Sequence, residues 1–248
     1  MKKFLFVLFA VVLSFGPANL YAVTTIDRGL STKDQSVFIP KGSTIIGGMV
    51  SYRNLGSKDF ELAAFKDLNF DAYTFSASPY LFFAVSNNNL IGIRGSYKRN
   101  LIDLGKGQIS LGDDMNFDFS DMNYLGHSFS GELVYRSYIP FLKSKIFALF
   151  SDVSLLVEYS QQRSLSGENG SYTTMMNYGL VFAPGLCIFM TNCVAVEVSC
   201  GLLGVNYKTR TQERNRTDYG STNALGAHFS VDYLSAKVGL SFVLPSNK

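Results

Sequence analysis

Few side chains of this 248-residue chain could carry out catalysis or bind a metal ion. It contains only two histidines, His127 and His228, and three cysteines, Cys187, Cys193 and Cys200. The cysteines lack the CxxC spacing of a zinc site, and an odd number does not make a disulfide framework. A bond between Cys187 and Cys193, which flank a turn, stays open, although packing as small apolar side chains is the simpler interpretation. The sequence therefore predicts no cofactor and no metal.

Eight charged residues lie inside apolar, strand-like runs: Arg94, Lys98, Glu132, Arg136, Asp152, Glu158, Glu197 and Lys237. Four are positive and four negative, so they could neutralise one another inside a narrow barrel, where an unpaired buried charge is costly. The sequence predicts an interior filled by ion pairs, without showing which acid pairs with which base. The alternative is a soluble barrel of the opposite orientation, as in a lipocalin. A water-facing surface should, however, carry more charge than this Gly-, Ser-, Ala- and Thr-rich face.

The stretch Phe70–Asn100 shows why these runs are expected to be strands. Apolar and polar residues alternate in two runs, and Ser86–Asn89 between them has the composition of a reverse turn. A period of two gives the resulting β-hairpin one apolar face and one mixed face.

Eight such runs follow one another along the chain, roughly at 43–54, 70–85, 90–101, 124–139, 146–162, 173–190, 194–209 and 223–244. Three short connections and four long polar ones alternate, so all short turns fall at one end and all long loops at the other. This asymmetry predicts an all-β fold, an eight-stranded antiparallel up-and-down transmembrane β-barrel. A soluble sandwich would have shorter strands and crossover connections.

An internal repeat supports this strand count. Each upward run has a tyrosine just before it changes to charged residues, and these are Tyr52, Tyr97, Tyr159 and Tyr207. A tyrosine combines an apolar ring with a hydroxyl that prefers water, so four at one height predict an aromatic girdle at a membrane interface. The alternative is the general preference of tyrosine for strands.

Two irregularities interrupt the pattern. Pro79 and Pro184 lie inside predicted strands, where a residue without an N–H is confined to edges or bulges, and both precede a short turn. They could mark the same local bulge twice. The run that begins at Val194 changes phase before its end, and a bulge at Gly201 or Gly204 would restore the alternation.

The N-terminus has the pattern of a secretory signal peptide. Lys2 and Lys3 precede an apolar stretch from Phe4 to Phe15, and small residues follow it. Cleavage is expected after Ala22, with Ala18 as the alternative. This stretch is too short for a membrane-spanning helix, and no later segment is long and apolar enough to be one.

We therefore expect a cleaved signal peptide at 1–22, an exported N-terminal segment at 23–42 and the barrel domain at 43–248. The signal peptide holds two of the lysines behind the net charge of +3. The mature chain is thus nearly neutral, which gives no reason to expect a nucleic-acid partner.

The last strand resembles the β-signal of bacterial outer-membrane barrels. In KVGLSFVL (237–244), Lys237 and Gly239 fill the polar and glycine places. Phe242 and Leu244 fill those of two outward anchors, with Leu244 where an aromatic residue is commoner. The resemblance implies export to the outer membrane of a Gram-negative bacterium and recognition by the barrel-assembly machinery. The segment FIPKG (38–42) is also similar to small OmpA- or OmpX-like barrel proteins of Bacteroidota.

Barrel enzymes that modify lipid A are the family in which His127 would matter. In the lipid A deacylases the histidine and the nucleophilic serine are two residues apart on one face. Here that position holds Phe129, while Ser128 and Ser130 have the opposite parity. A serine on a neighbouring strand stays open. Both His127 and His228 are more simply interpreted as interfacial or loop-base residues.

These patterns predict a non-enzymatic barrel whose long loops bind an unknown extracellular ligand or support the integrity of the envelope. The loop at 208–221 has a local excess of positive charge that could attract lipopolysaccharide, although a solvated loop is the plainer interpretation. A narrow OmpW-like pore for small solutes is the first alternative, and a lipid A-modifying enzyme is the second.

Overall fold

The computed structural model describes residues 37–62, 65–104, 107–110, 116–119, 122–141, 144–166, 169–201, 203–214, 218–229 and 236–244. The predicted signal peptide and residues 23–36 lie outside this part of the chain. The boundary at residue 22 therefore stays a prediction.

The described part of the chain is folded into β-strands that pair antiparallel throughout. They are β1 (Thr44–Leu62), β2 (Phe65–Ser86), β3 (Asn89–Leu104), β4 (Gly107–Ser110), β5 (Asn116–Phe119), β6 (Met122–Pro140), β7 (Phe147–Ser166), β8 (Asn169–Phe189), β9 (Val194–Ser199), β10 (Leu203–Arg214), β11 (Asp218–Phe229) and β12 (Lys237–Leu244). No helix in these residues is long and apolar enough to cross a membrane.

Eight of the strands pair in a ring, in the order β1, β2, β3, β6, β7, β8, β9, β12 and back to β1. Beyond this ring, β10 pairs with β8 and β11 pairs with β10, while β4 and β5 form a hairpin beside β2. The all-β antiparallel architecture agrees with the sequence. The predicted count of eight strands is not matched, because the described residues form twelve.

Two causes account for the additional strands. The predicted seventh strand is divided into β9 and β10, and the eighth into β11 and β12. The long connection after β3, expected as a polar loop, contains the hairpin of β4 and β5.

A β-bulge explains the division of the seventh strand. Gly185 of β8 pairs with Ser199, but Phe182 pairs with Leu203, so the register shifts by one residue between β9 and β10. The interruption lies opposite Pro184, whose nitrogen has no hydrogen for the ladder, while its carbonyl accepts from the Cys200 N–H at 3.2 Å. Outward positions consequently change from even-numbered residues in β9 to odd-numbered ones in β10.

Pro79 does not produce a second bulge, so that part of the prediction is wrong. The ladder between β2 and β3 pauses between Ala77 and Tyr80, yet its register is the same on both sides. Pro79 pairs with Gly48 of β1 on its other edge. The missing N–H therefore interrupts the hydrogen bonds to β3 without adding a residue.

The two faces of the ring have opposite character. Outward positions expose large apolar side chains on every ring strand, for example Ile93 (61% exposed), Leu133 (54%) and Leu155 (59%). Inward positions include the buried charges Arg136, Asp152 and Glu197. Alternation alone left the orientation of the barrel open, and the structure places the charges inside.

Ring closure at β12 depends on a glycine. Gly239 pairs with Met49 of β1 and Glu197 of β9 and is buried between them. A Cβ atom at Gly239 would lie 2.6 Å from the Gly48 carbonyl oxygen and 2.7 Å from Met49 Cγ. These distances are shorter than any ordinary carbon contact, so only glycine fits without moving β1.

Substitution G239A should therefore destabilise the closed barrel, by about 1–3 kcal/mol as is typical of overpacking. The measurement is the urea midpoint of the refolded protein, followed by far-UV circular dichroism.

The matched control is G48A on the paired strand, where the new Cβ would keep an ordinary 3.7 Å contact with Pro79 Cα. Equal midpoints for the two variants would contradict the proposed role of Gly239.

Candidate functional site

A network of buried charges fills the ring near the short connections, with Arg136 of β6 at its centre. Its Nε donates to Asp152 Oδ1 at 2.6 Å and its Nη2 to Asp152 Oδ2 at 2.9 Å, which makes a bidentate pair. Its Nη1 donates to Glu197 Oε2 at 2.7 Å. One guanidinium thus binds carboxylates from two strands, β7 and β9.

Arg94 of β3 extends the network toward the long-loop end. Its Nη1 donates to Glu132 Oε2 at 3.1 Å, and its Nη2 forms a second ion pair with Asp152 Oδ2. Asp152 therefore lies between the guanidinium groups of Arg94 and Arg136, which compensates for its burial.

Two phenols complete the coordination of Glu197. Tyr80 donates its hydroxyl to Glu197 Oε2 at 3.0 Å, and Tyr138 donates to Glu197 Oε1 at 3.2 Å. Both oxygens of this fully buried carboxylate consequently have donors. Burial of a carboxylate is tolerated only under such conditions.

Aromatic rings enclose the guanidinium of Arg136. Its Cζ atom lies 4.1 Å from the ring centre of Phe150 and 4.7 Å from that of Phe82. A guanidinium over a ring face gains cation–π attraction while water is excluded. The sequence did not indicate this enclosure, because Phe82 and Phe150 come from strands whose positions relative to Arg136 depend on the register of the sheet.

Strand register explains how these groups meet. Arg94 pairs directly with Glu132 across β3 and β6, and Arg136 pairs directly with Asp152 across β6 and β7. Directly opposed side chains on one face of a sheet are close enough for ion pairing. Glu197 lies on β9 and reaches Arg136 through the interior instead.

The remaining predicted interior charges lie outside this network. Glu158 accepts a hydrogen bond from Asn177 Nδ2 at 3.0 Å, and Lys237 Nζ lies 3.5 Å from Ser78 Oγ. Lys98 is exposed. The structure therefore joins five of the eight predicted charges by ion pairs. Glu158 and Lys237 have polar neighbours instead, and Lys98 is exposed.

A segment that the sequence left without a role closes the ring at its short-connection end. Phe38 and Ile39 are fully buried, and Phe38 lies 5.3 Å from the ring of Tyr138. The backbone N–H groups of both residues donate to Asn88 Oδ1, at 2.7 and 2.9 Å. We call residues 37–42 the N-terminal cap; the predicted boundary at residue 42 separated this cap from the domain that it closes.

Asn88 is suited to this position in the turn between β2 and β3. Its φ of 65° is in the left-handed region, which asparagine tolerates better than most residues. Its N–H also donates to the Ile39 carbonyl at 2.8 Å. The Asn-rich turn predicted from sequence therefore also binds the cap.

Three of the four predicted girdle tyrosines face outward and are clearly exposed: Tyr52, Tyr159 and Tyr207. Tyr97 is half-buried, because its ring packs 5.1 Å from that of Phe129. Phe129 pairs directly with both Tyr97 and Tyr159, so these three rings are neighbours on adjacent strands. The sequence pattern did not identify Phe129 as part of this aromatic group, because Phe129 does not precede a change to charged residues.

His127 has no serine at either of its directly paired positions. Arg99 of β3 and Gln161 of β7 occupy them. His127 Nδ1 instead hydrogen-bonds the hydroxyl of Tyr97 at 2.8 Å. The backbone of His228 pairs with Gly204, and its side chain lies outside the described part.

The predicted assembly signal forms the strand that closes the ring. Phe242 faces outward, as its assigned place requires, and Leu244 is half-buried and pairs with Thr44. Gly239 faces inward, and Lys237 reaches Ser78. Recognition by the assembly machinery stays a prediction.

The described residues contain no cluster of three or more histidine, cysteine or acidic side chains. The three cysteines are thiols, with Cys187 buried in the ring. Each carboxylate of the Arg136 network is bound by a guanidinium or a phenol. The arrangement can therefore fill and rigidify the ring, and it presents no exposed base or nucleophile.

Comparison with known proteins gives likenesses to solved structures and none to sequences. No family of known domains and no curated protein matches the sequence. The chain is similar to the crystal structure of the outer membrane protein OprG from Pseudomonas aeruginosa, at 10% identity and a TM-score of 0.46, over 86% of this chain and 99% of that one. At this level of likeness neither an activity nor a partner transfers to this chain.

Substitution R136M should destabilise the barrel strongly, by about 3–5 kcal/mol, because it leaves Asp152 and Glu197 buried without their main partner. The free energy of unfolding in urea, measured by circular dichroism on refolded protein, tests this.

Substitution K98M is the matched control, because Lys98 is exposed and should change stability by no more than about 0.5 kcal/mol. An R136M variant as stable as K98M would show that the network does not stabilise the fold.

Substitution N88G should release the N-terminal cap while leaving the turn intact, because glycine accepts the positive φ but has no side-chain acceptor. Faster hydrogen exchange at the amides of Phe38 and Ile39, measured by mass spectrometry, is the expected result.

N87G serves as the comparison, because Asn87 Oδ1 accepts only the exposed Lys41 N–H. Unchanged protection of Phe38 in N88G would exclude this function of Asn88.

Proposed function

We propose that the protein is a non-enzymatic outer-membrane β-barrel, closed inside, whose long connections act at the cell surface. The observation that carries this is the inverted distribution of polarity: charges are buried within the strand ring and large apolar side chains are exposed around it. An apolar environment around the ring explains both observations, because it favours apolar side chains on the outside and charged side chains on the inside.

The exposed apolar surface is too extensive for a water-soluble monomer. More than thirty large apolar side chains of the described residues are exposed, and each of the eight ring strands carries some of them. Burying one such side chain is worth about 1.5–3 kcal/mol, so lipid contact around the ring is a large stabilising contribution. Patches of this size on a soluble protein would cause aggregation.

A bilayer also accounts for the ring pairing. No water competes for backbone N–H and C=O groups in the hydrocarbon region, so a sheet can span it only when its edges are joined. Here β1 and β12 pair from Thr44 to Val50, and this pairing closes the ring. An eight-stranded membrane barrel is the simplest arrangement consistent with it, with the short connections on the periplasmic side.

The contents of the ring favour a barrel without a continuous water path. The Arg136 network, with its surrounding aromatic rings, fills the half of the ring nearest the short connections. The N-terminal cap packs against this half at the short-connection end. Bulk solvent is excluded from fully buried Arg136, Glu197 and Phe38. The function is therefore assigned to the surface ends, through binding of a ligand or support of the envelope.

Membrane insertion is tested by electrophoresis of refolded protein with and without boiling. The unheated sample should migrate as a compact form that boiling converts to the 27.4 kDa chain or its processed product. Co-sedimentation with liposomes is the second readout.

Protein that remains soluble without detergent and migrates identically before and after boiling would contradict the proposal.

Conduction distinguishes the closed barrel from a narrow pore. The small polar side chains between the Arg136 network and the long-loop end would favour a pore. We expect no unitary current step when the refolded protein is added to a planar bilayer. Boiled protein and detergent alone are the controls.

Reproducible steps that appear only with folded protein would replace the closed-barrel proposal with the OmpW-like pore. An unchanged lipid A profile after deletion of the gene would argue against the enzyme alternative.

A further inference from the structure

The outer wall of the barrel contains a shallow groove on β3 and β6. Gly95 and Gly131 pair directly, both face outward, and a Cβ atom on either would meet no heavy atom within 4 Å. The row below consists of Ile93 and Leu133, both more than half exposed. Two glycines side by side thus interrupt an otherwise bulky apolar surface.

Aromatic rings form the upper border of this groove. Tyr97 and Phe129 are the next outward residues above Gly95 and Gly131, and their ring centres are 5.1 Å apart. Tyr159 pairs with Phe129 on the next strand, and its hydroxyl accepts a hydrogen bond from Gln161 Nε2 at 2.9 Å. The groove therefore ends at the expected interface between hydrocarbon and water.

Hydrogen-bond donors lie immediately above these rings. Arg99 and His127 pair directly and face outward, and exposed Arg163 is on the adjacent strand β7. The hydroxyl of Tyr97 forms a hydrogen bond with His127 Nδ1. When Tyr97 is the donor, the proton of the neutral imidazole is on Nε2, which is then a hydrogen-bond donor.

Arg99 is half-buried and packs against an aromatic ring. Its Nε is buried and has no hydrogen-bond partner, although its guanidinium lies 5.7 Å from the ring centre of Tyr73. A side chain held in this way against an aromatic ring is ordered in advance of ligand binding. Guanidinium groups bind phosphate oxygens in a bidentate manner.

We propose that this surface binds one phosphate-bearing, multiply acylated lipid of the lipid A class. An acyl chain lies in the Gly95–Gly131 groove, and a headgroup phosphate accepts hydrogen bonds from Arg99 and His127, with Arg163 supplying additional positive charge. The inference rests on the proposed membrane location, because only then do the groove and the cations face lipid tails and headgroups respectively.

The order of the features along the wall favours a lipid over a free anion. A soluble phosphate would need only the cations and would gain nothing from the open glycine pair below them. A phosphorylated lipid uses both, because its acyl chain extends from the headgroup toward the middle of the bilayer. Charge complementarity and apolar contact therefore point to the same ligand.

The test uses refolded full-length mature protein in detergent, whose folded state is first verified by the shift on boiling. Native mass spectrometry then compares retention of bisphosphorylated lipid A with that of the same lipid after phosphatase treatment. We expect wild-type protein to retain the phosphorylated form preferentially.

Two kinds of variant separate the headgroup from the acyl chain. R99Q/H127Q should weaken retention of the phosphorylated lipid by at least about fivefold, which is typical for the loss of one cation near a headgroup. G131L should weaken retention of both lipids, because its side chain fills the groove.

The matched controls are K41Q, which removes an exposed lysine at the opposite, short-connection end, and G220L, which alters an exposed and unobstructed glycine on β11. Neither should change lipid retention. Folding of each variant is confirmed by its shift on boiling.

Equal retention of the two lipids, or equal effects of R99Q/H127Q and K41Q, would overturn the site. Full competition by inorganic phosphate with no effect of G131L would instead identify a simple anion site and would also overturn it. Failure of the protein to fold in detergent or to bind liposomes would refute the membrane proposal itself, so the two failures are distinguishable.

Discussion

The pairing of Arg136 with Asp152 and Glu197 is the interaction on which the rest of the barrel depends. A guanidinium and two carboxylates without water are tolerated only if all their donors and acceptors are nearly satisfied, and this requires fixed distances between β6, β7 and β9. The rings of Phe82 and Phe150 then exclude water from the guanidinium. The network consequently specifies the register of three strands and closes the interior at the same time.

Periodicity predicted an all-β antiparallel fold, but it missed the hairpin of β4 and β5 and the division of the last two strands. Parity assigned the strand charges to one shared face. It could not predict the ion pairs, since these depend on the register between strands. Arg94 and Glu132 are 38 residues apart but directly opposed, whereas Arg136 and Glu197 meet across the ring. Lys98 has the inward parity of Arg94 but lies nearer the open end, where the wall no longer buries it. The equal number of positive and negative charges does not show that Lys98 and Arg94 lie at different heights in the ring.

Two other features were beyond sequence patterns for different physical reasons. The N-terminal cap has no periodicity, because its burial comes from side-chain hydrogen bonds to one asparagine rather than from a ladder. The two strand prolines read alike in sequence, yet only Pro184 accompanies a change of register. At Pro184 the partner strand inserts a residue, whereas at Pro79 the ladder merely omits its hydrogen bonds. Which response occurs depends on the neighbouring strand, so a local sequence cannot decide it.

The cap also has a consequence for the order in which the barrel forms. Phe38 and Ile39 bind Asn88 about fifty residues away, and β1 pairs with β2 nearby, whereas closure joins Thr44 to Leu244 across nearly the whole chain. Contacts between sequence neighbours form faster than distant ones, because less chain entropy is lost in closing the intervening loop. The cap, β1, β2 and the following turn can therefore assemble as an early unit. Its free edge on β1 can then pair with β12, which follows all the other described strands along the chain.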